Sequence, residues 1–199
     1  MPEVLPFSQA AENNKQPILD VLERHLQDAK TLLEIGSGTA QHAVFFAERF
    51  PGLFWQATDI PSAVKTVKQR IDAANLPNLS QPLALDVDEI PWPLASYSAV
   101  FTANSLHIMS AISVQNFFSE VGRHVNVGGL LLIYGPFKYG GEFTTESNAR
   151  FDLWLKDRDP LSGIRDFEWI SELATASGFS LVEDNAMPAN NQLLVWSRG

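Results

Sequence analysis

The chain contains no cysteine. That one absence removes disulfides, thiolate metal ligands and cysteine nucleophiles together. Cations are scarce as well: 14 Lys and Arg stand against 23 Asp and Glu, the net charge is −9, and no basic cluster occurs anywhere. Phosphate backbones are gripped by cationic surfaces, so general nucleic-acid binding is not expected. No run approaches the roughly 20 apolar residues that a membrane helix needs. The polar stretch from Met1 to Gln16 lacks the charged start and apolar run of a secretory signal. A cytoplasmic protein without membrane association is the expectation. Four scattered histidines show no metal-ligand spacing, so no metal site is expected.

What the chain does have is core-forming material: 45% of its 199 residues are hydrophobic. At this length one domain, 1–199, buries roughly 70% of the surface its unfolded chain exposes. Short apolar runs at 31–35, 54–58, 83–87, 99–103 and 130–134 read as strands covered on both faces, the mark of a parallel sheet. Between them lie helical stripes. Ala40, Ala43, Val44 and Ala47 form one; Val64, Val67, Ile71 and Ala74 form another behind Ser62, a candidate N-cap. Val114, Phe117, Phe118 and Val121 repeat the pattern behind Ser113, and Ile170, Leu173 and Ala174 precede Gly178, placed to end a helix. Ile18, Leu19, Leu22 and Leu26 suggest a leading helix.

Alternating strands and helices imply a doubly wound sheet with right-handed crossovers. Near the C-terminus two strands follow one another, about 180–186 and 192–197, around a turn at Met187-Pro188-Ala189-Asn190-Asn191. The expected fold class is therefore α/β: a Rossmann-like, seven-stranded, mostly parallel sheet with an antiparallel C-terminal hairpin and helices on both faces. The segment 138–166 interrupts the alternation. It reads as a lid over the carboxyl ends of the strands, where open α/β sheets bind ligands, with a helix over 146–156.

The strongest local signal is Leu32-Leu33-Glu34-Ile35-Gly36-Ser37-Gly38-Thr39, a strand, a glycine turn and a helix start. Gly36 and Gly38 permit a tight turn and close approach of backbone to a ligand, with helix N–H groups nearby. A plain connection between strand and helix would look similar. The dinucleotide fingerprint requires a third glycine where this chain has Gln41. Asp59 ends the second strand, where a carboxylate accepts both hydroxyls of a ribose or simply caps the helix after Pro61. Asp86 stands at the end of the third strand, as an acceptor for an adenine amino group with apolar Val87 beside it, or as a turn carboxylate. Asn104-Ser105-Leu106-His107 follows the fourth strand. His107 is either a base at the crevice mouth or the cap of the next helix; His42 has a weaker claim.

These residues resemble a family of compact methyltransferase-like proteins long described as a domain of unknown function. The resemblance runs from Ala10-Ala11-Glu12-Asn13-Asn14-Lys15 to the end. Its most specific stretches are 33–43, Tyr134-Gly135-Pro136-Phe137, Glu146-Ser147-Asn148, Gly163-Ile164-Arg165-Asp166 and 187–191. It implies the class I methyltransferase fold and S-adenosylmethionine as methyl donor. Glu34, Gly36, Ser37, Gly38, Asp59, Asp86 and Asn104 would then line the cofactor, with Ile60, Val87 and Leu106 as apolar neighbours. Glu34 would orient the loop or meet the ammonium of the methionine moiety. Ala40 departs from the family, which commonly has glycine there.

The resemblance supplies no substrate. A small molecule is the expected acceptor, contacted by Tyr134, Phe137, Asn148, Arg165, Asn190 and Asn191, although each of these suits lid architecture equally well. Asn104-Ser105-Leu106-His107 replaces the Asn/Asp-Pro-Pro-aromatic motif of methyltransferases acting on planar nitrogens, which disfavours that chemistry. Two rivals stand beside the enzyme: a non-catalytic protein binding S-adenosylmethionine or a nucleotide, and a nicotinamide-dependent oxidoreductase.

Overall fold

Strand β1, Thr31–Ile35, shows how the sheet is built. Leu32 and Glu34 point to one face and Leu33 and Ile35 to the other, as the two-residue strand period requires. Both faces are covered. In the computed structural model, which describes residues 5–199, β1 pairs in parallel with β2, Phe54–Asp59, on one side and with β4, Tyr97–Ala103, on the other. Beyond β2 lies the two-residue β3, Leu83–Ala84; beyond β4 lies β5, Val125–Gly135. The last strands, β9 at Phe179–Met187 and β10 at Asn191–Arg198, complete seven strands in the order β3-β2-β1-β4-β5-β10-β9. β10 runs antiparallel to both neighbours, so the expected terminal hairpin is present.

One face carries Leu32, Phe101, Leu132, Leu193 and Val195 under helices α1 (Gln9–His25), α2 (Gln41–Arg49) and α3 (Val64–Ala74). The other carries Leu33, Val100, Ile133 and Trp196 under α4 (Ala111–His124) and α6 (Phe167–Ala176). Each fully buried Leu, Val or Phe contributes about 1.5–3 kcal/mol relative to exposure. Six successive apolar or neutral pairs join β5 to β10 between these layers.

Several expected boundaries shift. Ser62 does not cap α3: Ala63 holds that place and makes no side-chain bond. Ser113 lies inside α4, and the cap is Ser110, whose hydroxyl accepts from the Ser113 N–H. Of the run 83–87 only Leu83 and Ala84 pair; Leu85 and Val87 turn into the core beside Trp92, while Asp86 Oδ1 accepts from the Asp88 N–H at 3.0 Å. An edge position allows this, because no further strand demands continued pairing. Gly178 ends α6 as expected, with φ +88°.

The segment 138–166 has regular structure of its own. A small sheet of β6 (Phe137–Tyr139), β7 (Glu142–Phe143) and β8 (Arg165–Asp166) carries α5, Glu146–Arg158. Among the described residues no helix is long and apolar enough to cross a membrane. Residues 1–4, and with them the beginning of the polar N-terminal stretch, lie outside the described residues.

Candidate functional site

The sheet order reverses between β1 and β4, and the loops leaving their carboxyl ends diverge there. The loop after β1 has Gly36 at φ +72° and Gly38 at φ +56°. The two glycines do different things. A Cβ on Gly36 would stand 2.6 Å from the Ser105 hydroxyl, so this glycine lets the β1 loop pack against the β4 loop rather than against a ligand. Around Gly38 a Cβ would meet nothing within 4 Å, which leaves an open face. The Gly38 N–H donates to Asp59 Oδ2 at 2.6 Å, and the Ile60 N–H donates to Asp59 Oδ1 at 2.8 Å. Each oxygen keeps a lone pair. Asp59 is therefore fixed in place with accepting capacity to spare, and Ile60, 47% exposed, is an apolar ledge beside it.

Glu34 is 2% exposed and lies beneath this loop. Its Oε2 accepts from the Trp55 indole N–H at 2.8 Å. Burial pushes its carboxyl up to about 7; Trp55 and Ser37 pull the other way, and the nearby Asp59 charge adds a smaller rise. The Ser37 hydroxyl is buried without a well-aligned partner. The placement suits Glu34 to holding the loop from below. Asp86 and Val87 stand at the far edge, Asp86 with one oxygen in its turn and Val87 8% exposed.

Asn104 stands at the junction. It takes φ +58°, and its N–H donates to the Tyr134 carbonyl at 2.8 Å. Ser105 beyond it touches the glycine loop; Leu106 is buried; His107 turns to the opposite side. There a cavity of about 890 Å³ opens. Its floor is Asn104, His107 and Tyr134, one wall is the start of α1 with Asn13 and Asn14, and the other is α5. Along α5, Ser147, Asn148, Phe151, Trp154, Leu155 and Arg158 face the space, a helical stripe that covers a cavity rather than a core. Pro188, Ala189 and Asn191 close the far side.

His107 is 6% exposed. Burial, with the Arg165 charge behind it, pushes its imidazole down to about 4, so the ring is neutral at physiological pH. Tyr134, 3% exposed, is held protonated by burial, against a weaker opposite pull from the flanking Asn14 and Asn191 side chains. His42 is not in the cavity. It is buried, bonded through Nε2 to Asn14 Oδ1 at 2.7 Å and stacked on Phe46, and burial lowers it to about 4.

Of the six residues expected to touch an acceptor, Tyr134, Asn148 and Asn191 line the cavity and three do not. Phe137 is 2% exposed in the core under α4 and α6. Arg165 donates to the carbonyls of Leu106, Met109 and Leu161, stapling β8 to the loop that carries His107. Asn190 faces outward, bonding Ser147 through its side chain and Asn148 through its carbonyl. Asn13, Asn14, Phe151 and Arg158 were missed as a set. The signal for α5 was present in the sequence as a three- and four-residue spacing.

The geometry has counterparts of known fold. An O-methyltransferase family protein from Burkholderia thailandensis superposes with a TM-score of 0.83 at 20% identity, over 96% of this chain and 57% of that one. Human N-acetylserotonin methyltransferase, solved with S-adenosylmethionine, gives 0.80 at 16% identity, over 96% and 53%. These likenesses show the class I methyltransferase fold. In sequence, the malonyl-[acyl-carrier protein] O-methyltransferase of Alcanivorax borkumensis is 29% identical over 104 residues, 52% of this chain and 34% of that protein. The chain thus spans about a third of that relative's length and little more than half of each structural one's. The model of one family matches residues 5–198, nearly the whole chain, and the chain therefore belongs to the family described as "Protein of unknown function (DUF938)".

Proposed function

We propose that this chain is an S-adenosylmethionine-dependent methyltransferase acting on a small molecule. The observation that carries the reading is the contact between two half-sites. The loop that carries Gly38 touches Ser105 through Gly36, and the neighbouring Asn104 lines the cavity, so a donor held by Gly38 and Asp59 can reach an acceptor in the cavity. The ledge fits the donor chemically: Asp59 has free lone pairs for a ribose diol, Ile60 and Val87 offer apolar surface for adenine, and Gly38 leaves room. The named activities of the relatives point the same way. A nicotinamide dinucleotide fits less well, because Gln41 fills the place of the third glycine and its side chain is tied to the Ser8 N–H at 2.6 Å.

When bound, the cofactor supplies an electrophilic methyl group on a sulfonium. The protein's own task is alignment and exclusion of water. Asp59 and the β1 loop hold the donor, Glu34 braces that loop, and α5 with the start of α1 encloses the acceptor. His107, beside Asn104, takes a proton where the acceptor must lose one. The net charge of −9 gives nucleic acid no general footprint, and the cytoplasm is the proposed setting.

Calorimetry on the purified chain tests this with S-adenosylmethionine, S-adenosylhomocysteine, NAD and ATP. The two sulfur nucleosides are expected to bind in the micromolar range, and Asp59→Ala and Gly38→Arg, the second filling the open face of the loop, to abolish it. Binding of NAD in their place, or of none of the four, overturns the reading.

A further inference from the structure

The cavity has a directional chemistry. From floor to mouth run four planar groups in a row. The His107 ring meets Phe151 edge-on at 5.3 Å, Phe151 stacks on Trp154 at 5.6 Å and 21°, and the Arg158 guanidinium lies 3.8 Å from the Trp154 ring centre. The faces of these groups are taken up by one another, so what they turn to the cavity is a row of aromatic edges, which suits the face of a flat π-system better than a puckered ring or a chain. At its inner end two polar groups converge. Gly135 offers no side chain, and the place its Cβ would take lies 3.7 Å from His107 Nδ1 and 3.9 Å from Asn104 Oδ1. Among the described residues, neither of these side chains makes a hydrogen bond. A buried imidazole and a carboxamide left open toward a cavity are waiting for a polar partner.

Charge narrows the partner further. No carboxylate lies on the floor. Asp152 behind α5 is engaged by Lys156 at 2.6 Å and by the Ile164 N–H at 2.8 Å, and Asp159 belongs to the outer rim. Arg165 places a positive charge behind His107. An ammonium group would arrive facing the Arg165 guanidinium, whose nearby carboxylate, Asp152, is already engaged by Lys156. A neutral hydroxyl has one proton to give, to His107 Nδ1 or to Asn104 Oδ1, and brings no positive charge toward Arg165.

Resting on the methyltransferase reading, we propose that the acceptor is a planar aromatic molecule carrying a free hydroxyl, with its ring against the edges of Phe151 and Trp154 and its hydroxyl beside Asn104 and His107. In the reaction the hydroxyl oxygen forms a bond to the methyl carbon, and the carbon–sulfur bond breaks with its electron pair left on sulfur. The O–H proton passes to His107 and on to water. A weakly basic imidazole suffices, because an oxygen that is gaining a methyl group becomes strongly acidic.

The test is binding first, then turnover. Four probes share size but differ in one property: β-naphthol, naphthalene, the saturated decalol and the cationic naphthylmethylamine. Each is titrated by calorimetry into the protein held with saturating S-adenosylhomocysteine. β-Naphthol is expected to bind at least about tenfold more tightly than the other three. Trp154→Ala, at a half-exposed position, should remove the preference over decalol, and His107→Phe the preference over naphthalene. With S-adenosylmethionine, mass spectrometry should find the methyl ether. Equal binding of decalol, preference for the amine, or no binding of any aromatic probe overturns this proposal while leaving the cofactor reading intact. Failure of S-adenosylhomocysteine itself to bind overturns the cofactor reading instead.

Discussion

Gly36 and Ser105 lock two loops together at the scale of a single atom. Alanine at position 36 would meet the Ser105 hydroxyl at 2.6 Å and hold φ +72°. Backbone strain of that kind costs about 1–2 kcal/mol, and a forced contact adds about 1–3 kcal/mol. Gly36→Ala should therefore lower the urea midpoint clearly. Adding Ser105→Ala should recover the contact part and leave the backbone part, since the Ser105 Cβ stands back at 3.5 Å. A double-mutant cycle reads the coupling directly. Additive losses would mean that the loops do not touch. Glu34 makes a second test at this scale. Its carboxyl sits at about 7 in the folded chain against an ordinary 4.5, so the native state binds the proton more tightly than the unfolded chain. Its contribution to stability is complete below about pH 4.5 and is lost as pH rises through 7, a difference on the order of 3 kcal/mol. Glu34→Gln keeps an acceptor for Trp55 and removes the titration. The gap in melting temperature between wild type and variant should then grow in favour of the variant from pH 5 to pH 8; a constant gap would refute the buried-acid account. At this scale the sequence was informative where placement is local: Gly38, Asp59 and Asn104 stand at the strand ends where they were expected. Arg165 and Asn190 were not, because their partners are backbone carbonyls and side chains far away in sequence.

At the scale of elements, α1 is held across the β1 loop by a few polar ties. The Ser8 N–H donates to Gln41 Oε1, Gln41 Nε2 reaches Glu12 at 3.5 Å, and Arg70 donates to the carbonyls of Thr39 and Pro6. Gln41, the residue that breaks the dinucleotide pattern, is thus a latch between the helix that walls the cavity and the loop that carries Gly38. Gln41→Ala should cost about 1–2 kcal/mol. Its more telling effect should be local: faster amide exchange over residues 9–14 while β1 and β4 keep their protection. Uniform acceleration across the sheet would show a general loss of stability instead. No sequence pattern announces such a latch, since it joins residues 33 apart. Helix existence was legible from the apolar stripes, but caps were not. Ser62 and Ser113 looked suitable, yet Ala63 and Ser110 hold those positions, because the stripe marks the buried face and not the first turn. The α5 stripe was the reverse case. The helix itself was legible over 146–156, while the fact that one side of it faces a cavity depended on how β6, β7 and β8 carry it over the strand ends.

For the whole molecule, the question is whether the layers and the cavity wall respond as one body. Both faces of the sheet are packed, and β1, β4 and β5 contribute residues to both core clusters. A ligand that binds the native state at one edge should then stabilise everything joined to it. At a concentration 100 times its dissociation constant such a ligand adds about 2.7 kcal/mol. In a domain of this size that raises the melting midpoint by roughly 5–10 °C. S-adenosylhomocysteine is the appropriate probe, because it cannot turn over. Three tryptophans, Trp55, Trp92 and Trp196, are buried in the two clusters, whereas Trp154 is 48% exposed on α5. The fluorescence change that is lost in Trp154→Phe therefore reports the wall, and far-ultraviolet circular dichroism reports the sheet. If the wall is integral to the domain, both signals should show one midpoint without ligand and move together with it. An early fluorescence transition that the ligand leaves in place would show that α5 opens as a separate unit, and the cavity would then have to be closed by the acceptor itself.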